Sequence, residues 1–201
     1  MLILHDYLGS GNGYKVRLLL HQLEIPFERV ELDIDKGETR TAEFLAKNPN
    51  GRIPALELED GAVLPESNAI LFYLAEGTPF LPAGRLERAQ ALQWMFFEQY
   101  NHEPSIAVSR YIRLHLPEGH ERYGELPKLA EKGHAALKVM EGHLEKRTFF
   151  AGGAYSIADI ALYAYTHVAD EGGYDLAPYP AVRAWLDRVA GQPQHIPITR
   201  S

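Results

Sequence analysis

The chain has 201 residues, 46% hydrophobic and 23% charged, the make-up of a soluble globular protein with room for one large domain or two small ones. Its 20 basic against 27 acidic residues give a net charge of −7, which argues against a general nucleic-acid or anionic-membrane binder, whose partner calls for a basic face, and leaves room for a local basic pocket for a small anion. It has no cysteine, which removes disulfides, thiolate metal sites and any cysteine nucleophile, and fits a reducing compartment. Met1-Leu-Ile-Leu-His-Asp has neither a basic flank nor an apolar core of about 7–15 residues, so no signal peptide is expected. No apolar run reaches the ~18 residues of a membrane span, and a cytoplasmic protein is expected. Leu2-Ile3-Leu4 reads as a short buried strand. After a glycine-rich loop, Val16, Leu19, Leu20 and Leu23 recur at helical spacing. Residues 27–33, FERVELD, read as a second strand, so the strand–helix–strand unit implies a parallel pair. Thr41 to Lys47 suits a short helix stopped by Asn48-Pro49-Asn50-Gly51. Residues 53–64 read as two strands joined at Asp60-Gly61, and 67–77 as a helix with Ser67 at its N-cap and Gly77 at its end.

Residues 77–85, GTPFLPAGR, have the composition of a linker. Beyond them the pattern is helical throughout: a long helix over 86–116 kinked at Pro104, then 128–146, 157–169 and 180–190. The expected architecture is an α/β domain over 1–79, with a mixed four-stranded sheet and helices, followed by an all-helical domain over 86–201.

The loop LGSGNGYKV, residues 8–16, sits where a phosphate cradle would sit. A dinucleotide fingerprint requires a third glycine where Tyr14 stands, and a P-loop requires Gly-Lys-[Ser/Thr], whereas Lys15 lies between Tyr14 and Val16. Both motifs fail. Five segments in order along the chain point elsewhere: SGNGYKV, NPNGRIPAL, LPESNAILFYLA, YSIADIAL and YPAVRAWLDRV. Together they resemble the glutathione transferase superfamily over the whole chain, and the first resembles the Ser/Thr-x-Asn-Gly-x-Lys-Val loop of its bacterial and fungal nu-like group.

That resemblance implies a thioredoxin-like first domain that binds glutathione as co-substrate, and a helical domain that holds a hydrophobic electrophile. Ile53-Pro54 matches the family's cis-proline, beside which the Ile53 backbone pairs with the cysteinyl unit like an added strand. Glu66 and Ser67 match the grip on the γ-glutamyl ammonium and carboxylate, the latter at a helix N-terminus. Arg52 matches the basic position for the glycine carboxylate, with Lys36 and Arg40 read as surface charges. Ser10 matches the catalytic hydroxyl and Asn12 the second thiolate donor of the nu-like group. Tyr7 is the rival donor, at the position tyrosine takes in other classes but about a residue out of step. Conjugation is the implied activity. A glutathione-dependent disulfide reductase or peroxidase, or a non-catalytic glutathione binder, is the alternative.

Ser156-x-x-Asp159 reads as a capping box with no chemical role. The nine histidines show no metal-ligand spacing, so no metal is expected. The aromatic stretch 94–104 reads as core, pocket wall or two-fold interface, with Tyr100, His102, Ser105 and Tyr111 as pocket candidates. The family resemblance implies a homodimer, paired through the first domain of one subunit and the first two helices of the other's helical domain.

Overall fold

A computed structural model describes residues 1–200. The chain divides into two compact units: Met1–Gly77 together with the tail from Pro193, and Thr78–Gln192. The tail is a departure from the sequence reading, which placed it with the helices. It is drawn to the first unit by polar side chains that the helical periodicity does not advertise.

In the first unit β1 (Leu2–Asp6), α1 (Gly11–Gln22) and β2 (Phe27–Glu31) form the expected unit, followed by α2 (Ala42–Lys47), β3 (Ala55–Glu57), β4 (Val63–Pro65) and α3 (Ser67–Ala75). The sheet order is β2-β1-β3-β4. Strand β1 is parallel to β2, with Leu4 opposite Arg29, and antiparallel to β3, with Leu4 opposite Leu56. Strand β3 is antiparallel to β4. This is the mixed four-stranded, thioredoxin-like sheet that was expected. The hairpin loop is longer than the two residues Asp60-Gly61. Leu58 N–H bonds to Ala62 O and Gly61 N–H to Leu58 O, and Gly61 takes a φ of 85° that only glycine adopts without cost. The turn is where the sequence marks it, but ladder pairing starts only at Glu57 and Val63.

The second unit is helical: α4 (Arg85–Phe97), α5 (Glu103–His115), α6 (Leu126–Leu144), α7 (Ile157–Thr166) and α8 (Pro180–Ala190). Every residue of α7 is buried, so it forms the centre of this unit. The expected helix over 86–116 is interrupted by a π turn at Glu98–His102, where Glu103 N–H reaches back to Glu98 O. Pro104 follows directly. It has no N–H to give, and the ladder widens by one residue just before it.

The Ser156–Asp159 capping box is present. Ser156 N–H and Oγ–H both donate to Asp159 Oδ2, at 3.0 and 3.1 Å, while Asp159 Oδ1 accepts from Phe150 N–H and from Trp185 Nε1, at 3.1 and 2.9 Å. Burial pushes this carboxyl up to about 6 even against those donors. Glu141 on α6 caps α8 in a similar way, its two carboxylate oxygens accepting from Ala181 and Val182 N–H at 2.9 Å each. Among the described residues, no helix is long and apolar enough to cross a membrane.

Candidate active site

The glycine loop turns from β1 into α1. Ser10 N–H bonds to Tyr7 O at 2.8 Å. Ser10 is the N-cap of α1, and its Oγ accepts from Gly13 N–H at 3.2 Å. Gly13 is required by what lies under it: a Cβ there would sit 1.5 Å from Asp6 Oδ1. The Tyr7 ring lies against Gly9, whose Cβ would come within 3.1 Å of it. The glycines therefore let the backbone close over Asp6 and Tyr7 rather than wrap a phosphate.

Asp6 is fully buried with Arg17, whose Nε donates to Asp6 Oδ2 at 2.8 Å. Burial pushes the Asp6 carboxyl up, and the Arg17 guanidinium beside it pulls back. Arg17 Nη2 also donates to Leu8 O at 2.7 Å, so the same guanidinium fixes the start of the glycine loop. Its Nη1 binds the tail carbonyls of Ile198, at 2.9 Å, and Arg200. Tyr14 OH donates to Ile196 O at 2.7 Å. Through these bonds the tail is fastened along α1, the helix that Ser10 caps.

A second helix head meets this one. Strand β4 ends at Pro65, and α3 starts at Ser67 with Glu66 as its N-cap. The sequence reading put Ser67 itself at the N-cap, one position late. Glu66 holds φ 71°, a left-handed conformation that costs a side-chain-bearing residue of the order of 1–3 kcal/mol and clusters at functional sites. Glu66 is exposed and Ser67 buried. Ser67 Oγ donates to Asn12 Oδ1 at 3.3 Å and accepts from Lys15 Nζ at 3.4 Å. Neither α1 nor α3 has an acidic residue in its first turn, which suits both heads to an anion.

The remaining expected residues lie on the loop into β3. The Ile53–Pro54 bond is cis. Asn48 organises this loop, its Nδ2 donating to Arg52 O at 2.8 Å and its Oδ1 accepting from Asn50 N–H at 3.1 Å. Arg52 is exposed. Arg40 donates to Asn50 O at 3.0 Å, and Lys36 pairs with Asp33 at 2.8 Å. Both are engaged locally.

The structure thus joins Asn12 to Ser67 directly and puts Ser10 at the head of the same helix as Asn12. It does not gather the four pocket candidates of the second unit. His102 and Ser105 are buried, the former with its Nε2 2.9 Å from Thr166 Oγ1. Tyr100 is 84% exposed, and Tyr111 stacks on His115. The reading also passed over Lys15 and Arg17, both fully buried. The signal was there: two cations inside the apolar run YKVRLLL, where a charge must find a partner.

Comparison with known proteins gives the same family for both halves. Residues 1–76 match the model of the glutathione S-transferase N-terminal domain, and residues 105–193 that of the C-terminal domain. The chain is 33% identical over 198 residues to the disulfide-bond oxidoreductase YfcG of Escherichia coli K12, covering 93% of this chain and 89% of that one. A crystal structure of a glutathione S-transferase from Pseudomonas fluorescens Pf-5 superposes with a TM-score of 0.96 at 54% identity, over 99% of both chains. Ure2p in complex with glutathione superposes with a TM-score of 0.89 at 26% identity, over 100% of this chain and 94% of that one.

Proposed function

We propose, from the premise that this chain belongs to the glutathione S-transferase family, that its first unit binds glutathione and turns the tripeptide's thiol into a thiolate for attack on a small electrophile. The observation that carries this reading is the Ser67–Asn12 hydrogen bond, 3.3 Å long. It joins the residue proposed to take the γ-glutamyl carboxylate to one proposed to face the sulfur. In this reading Ser67 N–H receives that carboxylate at the head of α3, and Glu66 receives the ammonium. The Ile53 backbone pairs with the cysteinyl unit, and exposed Arg52 takes the glycine carboxylate.

The chemistry asked of the protein is modest. A free thiol has a pKa near about 8.5, so little of it is ionised at neutral pH. Lowering that value by about two units takes roughly 2.7 kcal/mol of preferential thiolate stabilisation. One hydrogen bond to a charged group supplies about 1.5–3 kcal/mol. The Ser10 hydroxyl, the Asn12 amide and the head of α1 are together sufficient. The thiolate sulfur then bonds to the electrophilic carbon as the leaving group departs with the electron pair.

The likeness to a disulfide-bond oxidoreductase favours a second reaction at the same site. With no cysteine in the chain, thiol–disulfide exchange has to run through glutathione's own sulfur. The thiolate attacks a disulfide and releases one thiol. A second glutathione then resolves the mixed disulfide, giving oxidised glutathione and the other thiol.

Binding is tested by melting the protein with and without millimolar glutathione. A ligand at 100 times its Kd stabilises the fold by about 2.7 kcal/mol, so the melting temperature should rise, and Glu66→Ala or Ser67→Ala should reduce the rise. No rise in the wild type would overturn the reading. Parallel conjugation, peroxide and disulfide assays then decide between the reactions.

A further inference from the structure

We infer that Lys15 is a positioning residue that couples the γ-glutamyl end of the bound tripeptide to the thiol of its central cysteinyl residue, a deepening that rests on the glutathione reading above. Lys15 lies in the first half of α1 and has no solvent exposure. An ammonium is a donor with no acceptor capacity, and Nζ donates to Ser67 Oγ at 3.4 Å. A serine hydroxyl has a single proton. Lys15 cannot accept that proton, and Ser67 donates it to Asn12 Oδ1 at 3.3 Å. An asparagine amide has one acceptor atom and one donor atom. Once Oδ1 is committed to Ser67, Nδ2 is set as the face from which Asn12 donates.

The direction of the relay is what matters. Lys15, which has no acceptor, turns the Ser67 proton away from itself toward Asn12, and the Ser67–Asn12 bond sets which way round the Asn12 amide sits. A reversed amide would present a carbonyl oxygen to the sulfur and repel a thiolate. The relay also joins α1 to α3, two helices that pack together in the first unit. The substitutions below leave in place Glu66, which precedes Ser67 in the chain, and the Asp6–Arg17 pair, whose arginine lies two residues beyond Lys15 on α1.

This makes an unusual demand on Ser67. If its only task were to grip the γ-glutamyl carboxylate, removing its hydroxyl would weaken affinity and leave the sulfur alone at saturating glutathione. Under the relay, the same change alters the thiol on the neighbouring cysteinyl residue. The test is a pH titration of thiolate absorbance, with glutathione saturating each protein. Lys15→Met and Ser67→Ala should each raise the bound thiol's pKa by about one unit, which is about tenfold less thiolate at neutral pH. The double variant should shift it no further than either single one. Lys15→Arg, which keeps a cation and a donor, should recover most of the shift.

Wild-type titration in folded Lys15→Met and Ser67→Ala overturns the relay, as do shifts that simply add. If Lys15→Met does not fold, Lys15→Gln takes its place: its amide can accept the Ser67 proton, so the relay raises the thiol's pKa there too, and wild-type titration in it overturns the relay. A wild-type protein with no glutathione-dependent rise in melting temperature overturns the parent reading instead, so the two failures are told apart by different measurements.

Discussion

The Ser10 hydroxyl accepts from Gly13 N–H as the cap of α1, and that leaves its proton for another acceptor. Two consequences follow for Ser10→Ala. Loss of the cap should cost roughly 1 kcal/mol of stability. Loss of the donor should raise the bound thiol's pKa by about one to two units, with turnover at pH 7 falling about ten- to a hundredfold and recovering as pH rises. Glutathione affinity should change little, because Ile53, Glu66 and Ser67 are the residues proposed to grip the rest of the tripeptide. Asn12→Ala should behave alike, and Tyr7→Phe should change little. Thiolate absorbance titrated across the three variants checks this, and an upward shift confined to Tyr7→Phe would transfer the role to Tyr7. At this scale the motif residues were legible because the chemistry of a helix head is local. Lys15 and Arg17 carry a weaker signal, two cations inside an apolar run, which a pattern of apolar and polar letters takes for surface markers. Here both are buried, and Ser67, which Lys15 touches, and the tail carbonyls, which Arg17 touches, lie far along the sequence.

Helix and strand types were legible because periods of 3.6 and 2 survive in the sequence around each buried face. The details that were missed depend on backbone torsions and distant partners. With its left-handed φ, Glu66 rather than Ser67 is the N-cap of α3, and the π turn before Pro104 takes up slack that no periodicity records. The sequence pattern marks Asp159 only as a cap. It also receives Trp185 Nε1 from α8 and Phe150 N–H, so it ties the head of α7 to its neighbours. Its pKa lies at about 6, above the ordinary 3.8, so the folded protein holds this proton more tightly than the unfolded chain does. The resulting stabilisation, about 3 kcal/mol, is complete below about pH 4 and is lost as pH rises through 6. Asp159→Asn should therefore destabilise most at pH 4, with the gap to wild type narrowing by pH 7. Urea midpoints of both proteins at four pH values from 4 to 7 measure this, and a gap that widens with pH would refute it.

Two features belong to the molecule as a whole. On α4 and the π turn, Phe96 and Tyr100 are 71% and 84% exposed and four residues apart, so they share one face. Trp94, by contrast, is buried in the helical unit. An exposed aromatic pair suits a partner surface, and a homodimer is the expected state. Sedimentation at micromolar concentration should give about twice the 22.6 kDa chain mass, and Phe96→Glu should shift it toward the monomer. The other feature is the tail. Deleting residues from 193 onward strips acceptors from Arg17 and Tyr14, both buried. It should cost about 3 kcal/mol, with hydrogen-exchange protection lost in β1 and α1 but kept in α6 and α7. The tail also sets an order on biosynthesis. Helix α1 leaves the ribosome early, yet Arg17 stays short of partners until the carbonyls of Ile198 and Arg200 have been made, after the whole of Thr78–Gln192. Domains generally fold from the N-terminus as they are synthesised, but here the first unit is completed last. A nascent chain that stalls within α8 carries every residue of the proposed glutathione site and lacks the segment that locks the helix bearing Ser10, Asn12 and Lys15.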